Sequence, residues 1–511
     1  MSSLFPNLDP DRLDEPALED GTRSRTWTEL ADRATRFGRF LRQDQGLAAG
    51  EHAALVMGNR VEYVEVLLGA LAGGVWVAAV NWRLTAPEIA FILEDSAARL
   101  VVVDPEHEAV TRDAVALTGA ATPVVVAGSD LDDRLAAASD EPFGDDDPAG
   151  GTMFYTSGTT GRPKGVKRAG AATLRARILG QVAAGRNLGL DGGGPHLVTG
   201  PLYHAAPVGF ALMDLYAGAP MLVMPRWEEA AALDLIDERQ VRNTHLVPTM
   251  FVRLLRLDDD RRRRFDGSSL HTVLHGAAPI APSVKRRMIE WWGPVLVEYW
   301  GASEGGVVTL VGSEEWLAHP GTVGRATPTH EVFAADADGA RLGPGETGTL
   351  WCRNTVIDQV FHYHNDPAKT AAAFAGPGTY SIGDVGRVEA DGYVYLSDRA
   401  ANMIISGGVN IYPAEIEHAL ADHPAVGDVA VFGIPDDEWG EQVKAAIELA
   451  PGIEPSDALT EELLAFARTR VAGYKVPRTI DYEAELPRHP NGKLYTRLLR
   501  DRYWPDADRS I

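Results

Sequence analysis

Between Met153 and Arg168 the chain reads MFYTSGTTGRPKGVKR. An apolar run leads into a loop with glycines at 158, 161 and 165 and hydroxyl residues Thr156, Ser157, Thr159 and Thr160, and the loop closes with Lys164. Glycines let a backbone approach a ligand closely. Hydroxyls and loop amides donate to phosphate oxygens, and a lysine adds a mobile positive charge. The string reads as a phosphate-binding loop, with a plain Gly/Ser/Thr surface turn as the competing reading of the loop taken alone. It is not the GxxxxGK[ST] loop of kinases and GTPases. Counted from Gly158, that pattern needs glycine where Pro163 stands and Ser or Thr where Gly165 stands.

Further along stands EYWGASEGG, Glu298–Gly306, with an aromatic ring at Trp300 and a carboxylate at Glu304. The segments His275–Pro279 (HGAAP), Thr379–Gly386 (TYSIGDVG), Ser397–Glu417 (SDRAANMIISGGVNIYPAEIE) and Leu486–Arg497 (LPRHPNGKLYTR) follow the same theme of small turns with isolated charges. Singly, each reads as a core aromatic, a hairpin Asp or Gly, or a solvated lysine.

Taken in order, these strings resemble the motifs of the adenylate-forming superfamily, which includes acyl-CoA synthetases, the adenylation domains of peptide synthetases, and firefly luciferase. YTSGTTGRPKG is similar to its phosphate loop. Glu298–Gly306 resembles the Tyr-Gly-x-Thr-Glu element, with Trp300, Gly301, Ser303 and Glu304 in the matching places; the resemblance implies that Glu304 lies near the triphosphate and holds Mg²⁺, which prefers oxygen ligands, and that Trp300 stacks on adenine. The resemblance implies an adenine and acyl turn at Gly276, Ala277 and Ala278, a ribose aspartate at Asp384 and a ribose and phosphate contact at Arg399. It implies a CoA tunnel beside Ser406, Gly407 and Gly408, and a lysine at the reacting centre, Lys493. GPLYHAAP, Gly200–Pro207, resembles the element beside the acyl pocket. It makes His204 and Ala205 pocket residues, with His204 orienting the carboxylate or gating the thiol, and a buried structural histidine as the competing reading. At the pivot after Arg399, where the family usually carries Asp or Lys, this chain has Ala401 and then Asn402.

The implied function is ATP- and CoA-dependent conversion of a carboxylic acid, through an acyl-adenylate, to a thioester with release of AMP and pyrophosphate. Lys493, Lys164 and Mg²⁺ held by Glu304 and Thr156 would supply the positive charge that lets two anions meet. Small residues in the pocket segments suit a medium- or long-chain fatty acid or a bulky ring-bearing acid. The alternatives are an adenylate passed to a carrier protein or an amine, and a non-catalytic nucleotide-binding protein.

These groups need elements to hold them. From about residue 25 to 400, helical patterns such as Trp27–Arg42 and Tyr63–Leu71 alternate with short apolar runs at Ala53–Val56, Leu100–Val103, Val124–Val126, Met221–Val223, His245–Val247 and Val295–Val297. That alternation predicts α/β layers with mostly parallel sheets. Gly-rich turns between short strands over about 321–398 predict a small β subdomain. A fresh α/β pattern follows, with a helix at Ala414–Ala421, strands at Val429–Phe432 and Val443–Leu449, and a helix at Thr460–Arg470. The expected division is an N-terminal adenylation domain, 1–398, a hinge, 399–402, and a mobile C-terminal domain, 403–511.

Composition limits the partners. With 48 Lys and Arg against 72 Asp and Glu, the net charge is −24, which counts against nucleic acid. The run Arg261–Arg264 follows Asp258–Asp260 and reads as a solvated helix face. The apolar run Val66–Val80 is shorter than the ~20 residues of a bilayer span and predicts a buried helix and strand. The acidic start lacks the form of a signal peptide. A lone cysteine, Cys352, forms no internal disulfide and reads as a packed strand residue, which fits the cytoplasm. A monomer or homodimer is expected. His362 and His364, at strand spacing, are a further candidate for a metal.

Overall fold

The computed structural model describes residues 4–156, 163–399, 402–406, 409–436, 439–488 and 494–504, with the side chains of 398, 399 and 410 left aside. Four sheets organise the chain. The first has seven strands in the order Phe361–Tyr363, Lys164–Arg168, Gly151–Thr156, Trp76–Val80, His52–Val56, Val101–Val103 and Val124–Val126. Its last five are parallel, and Lys164–Arg168 runs antiparallel to both neighbours. Parallel strands covered on both faces read as continuous β-branched runs, and Val101, Val102 and Val103 are all buried.

A second sheet of nine strands holds Thr272–His275 between the parallel strands Asn243–Leu246 and Leu296–Ala302, and the latter pairs antiparallel with Gly306–Gly312. The third, of six strands, is antiparallel and built from residues 330–399. The fourth, of five, carries Val409–Ile411, Ile404–Ser406, Gly440–Leu449 and Val426–Asp436, with Thr479–Glu483 parallel beside Gly440–Leu449.

Local rules account for the helices that frame the first sheet. Thr26 accepts from the Glu29 amide while Glu29 accepts from the Thr26 amide, a capping box that starts Trp27–Arg39. The chain then continues as a wider π-turn, Phe40–Asp44, so the expected single helix to Arg42 is two pieces. Val61–Ala72 is buried almost throughout, including Glu62 and Glu65. Those carboxylates are tolerated because each meets arginines: Glu62 pairs with Arg23 and Arg60, and Glu65 with Arg25 at 2.7 Å and Arg33 at 2.8 Å. The run Val66–Val80 is the end of this helix and the strand Trp76–Val80, as expected. No helix among the described residues is long and apolar enough to cross a membrane.

Three expected boundaries move. The strand near His245–Val247 is Asn243–Leu246, because Val247 precedes Pro248, which opens the next helix. The strand near Val295–Val297 is Leu296–Ala302 and runs into the Glu298–Gly306 motif. The 321–398 stretch is not self-contained: Phe361–Tyr363 leaves it to pair with Lys164–Arg168 in the first sheet. Phe361 is fully buried against Phe374 at 5.0 Å and Tyr380 at 5.6 Å, so burial of one aromatic ring ties the β subdomain to the phosphate hairpin.

Other expectations hold. Cys352 is buried in the strand Gly348–Asn354, and burial raises its thiol pKa. Asp259–Arg264 is a short helix with no buried residue, in which Arg261, Arg262 and Arg263 pair with Asp234, Asp259 and Asp260. The further metal candidate stands differently: His362 is exposed and His364 packs on His52 at 5.1 Å, and among the described residues no group of three or more His, Cys, Asp or Glu is placed to hold a metal.

Candidate active site

The phosphate string folds as a hairpin. Gly151–Thr156 and Lys164–Arg168 pair antiparallel with Thr156 opposite Lys164, so the hydroxyl and the ammonium named from sequence flank one opening. Ser157, Gly158, Thr159, Thr160 and Gly161 lie outside the described residues. Thr156 and Lys164 line a cavity of about 2320 Å³. The same cavity is lined by His204, Ala205, Ala277, Gly301, Ser303 and Glu304, so segments up to 150 residues apart in sequence converge there.

Strand alternation decides which side chains of the Glu298–Gly306 motif enter that space. Successive side chains point to opposite faces. Tyr299 lines the cavity and its hydroxyl lies 3.1 Å from His245 Nε2. Trp300, on the other face, is 5 % exposed and packs with Val166, Val308, Phe361 and Tyr380. Its indole N–H donates to Asp384 Oδ2 at 2.7 Å. The stacking face expected of Trp300 is therefore enclosed in the core. Its polar edge holds Asp384, which is itself buried.

Asp384 and Arg399, the ribose pair expected from sequence, sit directly opposite each other on adjacent antiparallel strands, although the Arg399 side chain is outside the described residues. Asp384 does not line the cavity. Gly301 is required sterically, since a Cβ there would collide with the Gly306 carbonyl across the hairpin. Gly276 is buried beside Tyr299, and Ala278 is half-buried outside the lining. Between them Ala277 takes a left-handed backbone, φ +64, and lines the cavity. A non-glycine residue held there stores local strain.

Glu304 faces the cavity and accepts from the Tyr363 hydroxyl at 3.1 Å. Tyr363 comes from the strand that leaves the β subdomain, so that crossover positions the carboxylate. Glu304 and Thr156 share the cavity and offer hard oxygen atoms, which suits Mg²⁺. His204 stands just before the helix Ala205–Ala217 and packs its ring on Tyr203 at 4.4 Å.

The C-terminal region closes part of the same space. Asn402, Met403, Ile405, Phe432, Gly433 and Leu494–Leu498 line it. Two contacts bring the fourth sheet's layer against the second: Ser283 Oγ donates to Asp422 Oδ1 at 2.5 Å, and Arg256 donates to the Gly427 carbonyl. Lys493, Gly407 and Gly408 lie outside the described residues. Ser406 is half-buried at the end of Ile404–Ser406 and does not line the cavity.

Sequence reasoning did not single out Tyr299, His245, Tyr363, Arg168, Arg177 or Tyr495, all of which line the cavity. Tyr299, Arg168 and Tyr495 lie inside quoted strings and were within reach; His245, Tyr363 and Arg177 lie outside every quoted motif. His245 is held neutral, its pKa pushed down to about 3 by burial.

Comparison with known proteins agrees with this geometry. The model for AMP-binding enzymes matches residues 9–361, and that for their C-terminal domain matches 415–493. The chain is 33 % identical over 489 residues to a feruloyl-CoA synthase of Amycolatopsis sp, covering 95 % of this chain and 96 % of that one. It is 31 % identical over 512 residues to the fatty acid–[acyl-carrier-protein] ligase ScoC of Streptomyces coeruleorubidus, covering 97 % and 95 %. Among solved structures, ATP-bound MatB from Rhodopseudomonas palustris superposes with a TM-score of 0.85 at 26 % identity, over 98 % of this chain and 99 % of that one. The hairpin presents a hydroxyl and a lysine to this cavity, the two family matches together span most of the sequence, and the chain belongs to the AMP-binding enzymes of the adenylate-forming superfamily, as an AMP-forming acid–thiol ligase.

Proposed function

We propose that the protein activates a medium- or long-chain fatty acid, or a bulky ring-bearing acid, and transfers the acyl group to CoA. The observation that carries this reading is the single continuous cavity, which runs from the Thr156 and Lys164 hairpin to walls of Phe154, Val208, Phe210, Leu212 and Met213. Its size suits an extended or cyclic apolar tail beside a nucleotide.

In the first half-reaction the acid's carboxylate attacks the α-phosphorus of ATP and pyrophosphate leaves. Lys164 and Lys493 offset the charge of two approaching anions, and fixed positioning does most of the rest. Gly276, Ala277, Ala278 and Gly301 border the adenine and acyl groups, while Asp384, oriented by Trp300, and Arg399 hold the ribose. Glu304 and Thr156 would hold Mg²⁺, which supplies charge neutralisation at the phosphates. In the second half-reaction the thiol attacks the acyl carbonyl and AMP leaves. Rotation about 399–402, between a 1–398 domain and a 403–511 domain, would withdraw Lys493 and bring Ser406, Gly407 and Gly408 to the thiol's path. His204, at the edge of the acyl space, orients the carboxylate. The protein acts in the cytoplasm as a monomer or homodimer.

The similarity to a ligase that loads an acyl-carrier protein favours one second reading, in which the acceptor is a carrier phosphopantetheine. Pyrophosphate release across a panel of acids, with and without CoA, tests both. Acid-dependent release coupled to acyl-CoA formation supports the first reading. Release without thioester on CoA, with transfer to a carrier protein, replaces it by the second.

A further inference from the structure

Two of the cavity's arginines form no ion pair among the described residues. Arg168 and Arg177 both line it, and neither has a carboxylate within ion-pair distance among the described residues; all of those described ion pairs involve other groups. Among the described residues Arg177 donates to the Ala171 carbonyl alone, at 3.0 Å, and it rests over Trp76 at 5.9 Å. Arg168 is open to the cavity yet surrounded by protein, which desolvates it, and Arg177 adds like charge nearby. A charge placed in such surroundings is normally paired, and a guanidinium does not escape by losing its proton.

The surrounding chain makes room for Arg168. Gly306 has φ +72, and a Cβ there would meet Arg168 Nη2 at 2.5 Å. Opposite stand neutral polar groups, His330 and Asn354, which line the same wall; His330 Nε2 lies 3.3 Å from Asn354 Nδ2, and burial followed by the Arg168 charge keeps His330 neutral by lowering its pKa. Arg177 lies in the helix Leu174–Arg186, packed beside Ala205–Ala217, whose residues Ala205, Gly209 and Met213 wall the apolar part of the cavity. Arg168 stands four residues beyond Lys164 on one strand, about 13 Å from the phosphate opening at ~3.3 Å per residue. The cations are therefore set back from the place where the triphosphate's charge is handled.

We propose that Arg168 and Arg177 form a second anion site at the far side of the acyl space, which selects acids that carry a second carboxylate. The inference rests on the reading above that this cavity activates a carboxylic acid. One carboxylate reacts at ATP; the other accepts from the guanidinium groups, whose planar donors match a carboxylate's two oxygens.

The test uses full-length protein with ATP, Mg²⁺ and CoA, and matched acids: octanedioic against octanoic, dodecanedioic against dodecanoic, and 4-carboxycinnamic against cinnamic. At least one diacid should exceed its monoacid tenfold or more in kcat/KM, mostly through KM. Arg168→Gln and Arg177→Gln should each reduce that ratio at least tenfold, with Arg168→Lys recovering part of it. ATP affinity measured without acid should change less than twofold in these variants. Monoacids preferred in every pair, or a ratio insensitive to both Gln variants, overturns the selection while acid activation stands. ATP affinity lost in Arg168→Gln overturns it too, since the arginine would then serve a nucleotide phosphate. Release of pyrophosphate with none of the acids overturns the parent reading and this one with it.

Discussion

Trp300→Phe separates two roles for one residue. If the indole serves as a stacking face, phenylalanine preserves an aromatic plane and activity changes little. If its function is to hold Asp384, phenylalanine removes the indole N–H, which meets Asp384 Oδ2 at 2.7 Å. Both residues are buried, Trp300 at 5 % and Asp384 at 6 % exposure, so water does not readily replace the lost partner. A hydrogen bond to a charged group contributes about 1.5–3 kcal/mol. At about 1.4 kcal/mol per tenfold, and with Asp384 in its proposed place at the ribose, loss of that orientation corresponds to a roughly 10- to 150-fold rise in KM for ATP. The assay is pyrophosphate release at saturating acid over an ATP titration, beside thermal unfolding, with Trp300→Leu as a companion that removes ring and donor together. KM for ATP within twofold of wild type in Trp300→Phe, combined with a large rise in Trp300→Leu, would refute the positioning role and restore stacking.

Lys493→Ala should abolish adenylate formation while sparing thioester formation from supplied acyl-adenylate, followed by pyrophosphate release and by acyl-CoA; equal loss of both half-reactions counts against the assigned role. Glu304→Gln should raise the Mg²⁺ concentration needed for half-maximal activity, and an unchanged metal titration removes the carboxylate from the metal site. Acid sensitivity follows from buried neutral histidines. His52 is pushed down to about 4 and His245 to about 3 by burial, and His275, with neither ring nitrogen hydrogen-bonded, lies well below its ordinary value. Below pH ~6.5 the unfolded chain takes up protons that the folded chain refuses, so stability falls as pH falls, by about 1.4 kcal/mol per pH unit for each such histidine until its folded pKa is reached. His275→Leu should flatten the decline in urea midpoint between pH 6.5 and 5 by one proton's share, and an unaltered slope would sink that assignment.

Much of the site was legible because its chemistry is local. Thr156 and Lys164 belong to one string, and a hairpin is the shortest way to bring them face to face. The buried strand at Val101–Val103 and the capped helix after Thr26 follow from composition and spacing over a few residues. His204, Ala205 and the residues around Glu304, each inside one short string, also line the cavity.

Direction and company were not legible, because both depend on what packs from far away. Residue types alone suggested that Trp300 faces a ligand, yet the alternation of its strand and the burial of Phe361 and Tyr380 turn it toward Asp384. Glu304 takes its partner Tyr363 from a strand that abandons its own sheet, a choice made by aromatic burial some 60 residues downstream. Arg168 looked like the tail of a phosphate motif; only the fold sets it, with Arg177, in a cavity where neither has a carboxylate within ion-pair distance among the described residues. The sequence by itself determined the reaction this protein is equipped for, since that chemistry resides in short ordered strings. The tertiary structure alone decided which side chains meet in the cavity and which charges there go unmatched, because those depend on distances between segments that no spacing along the chain encodes.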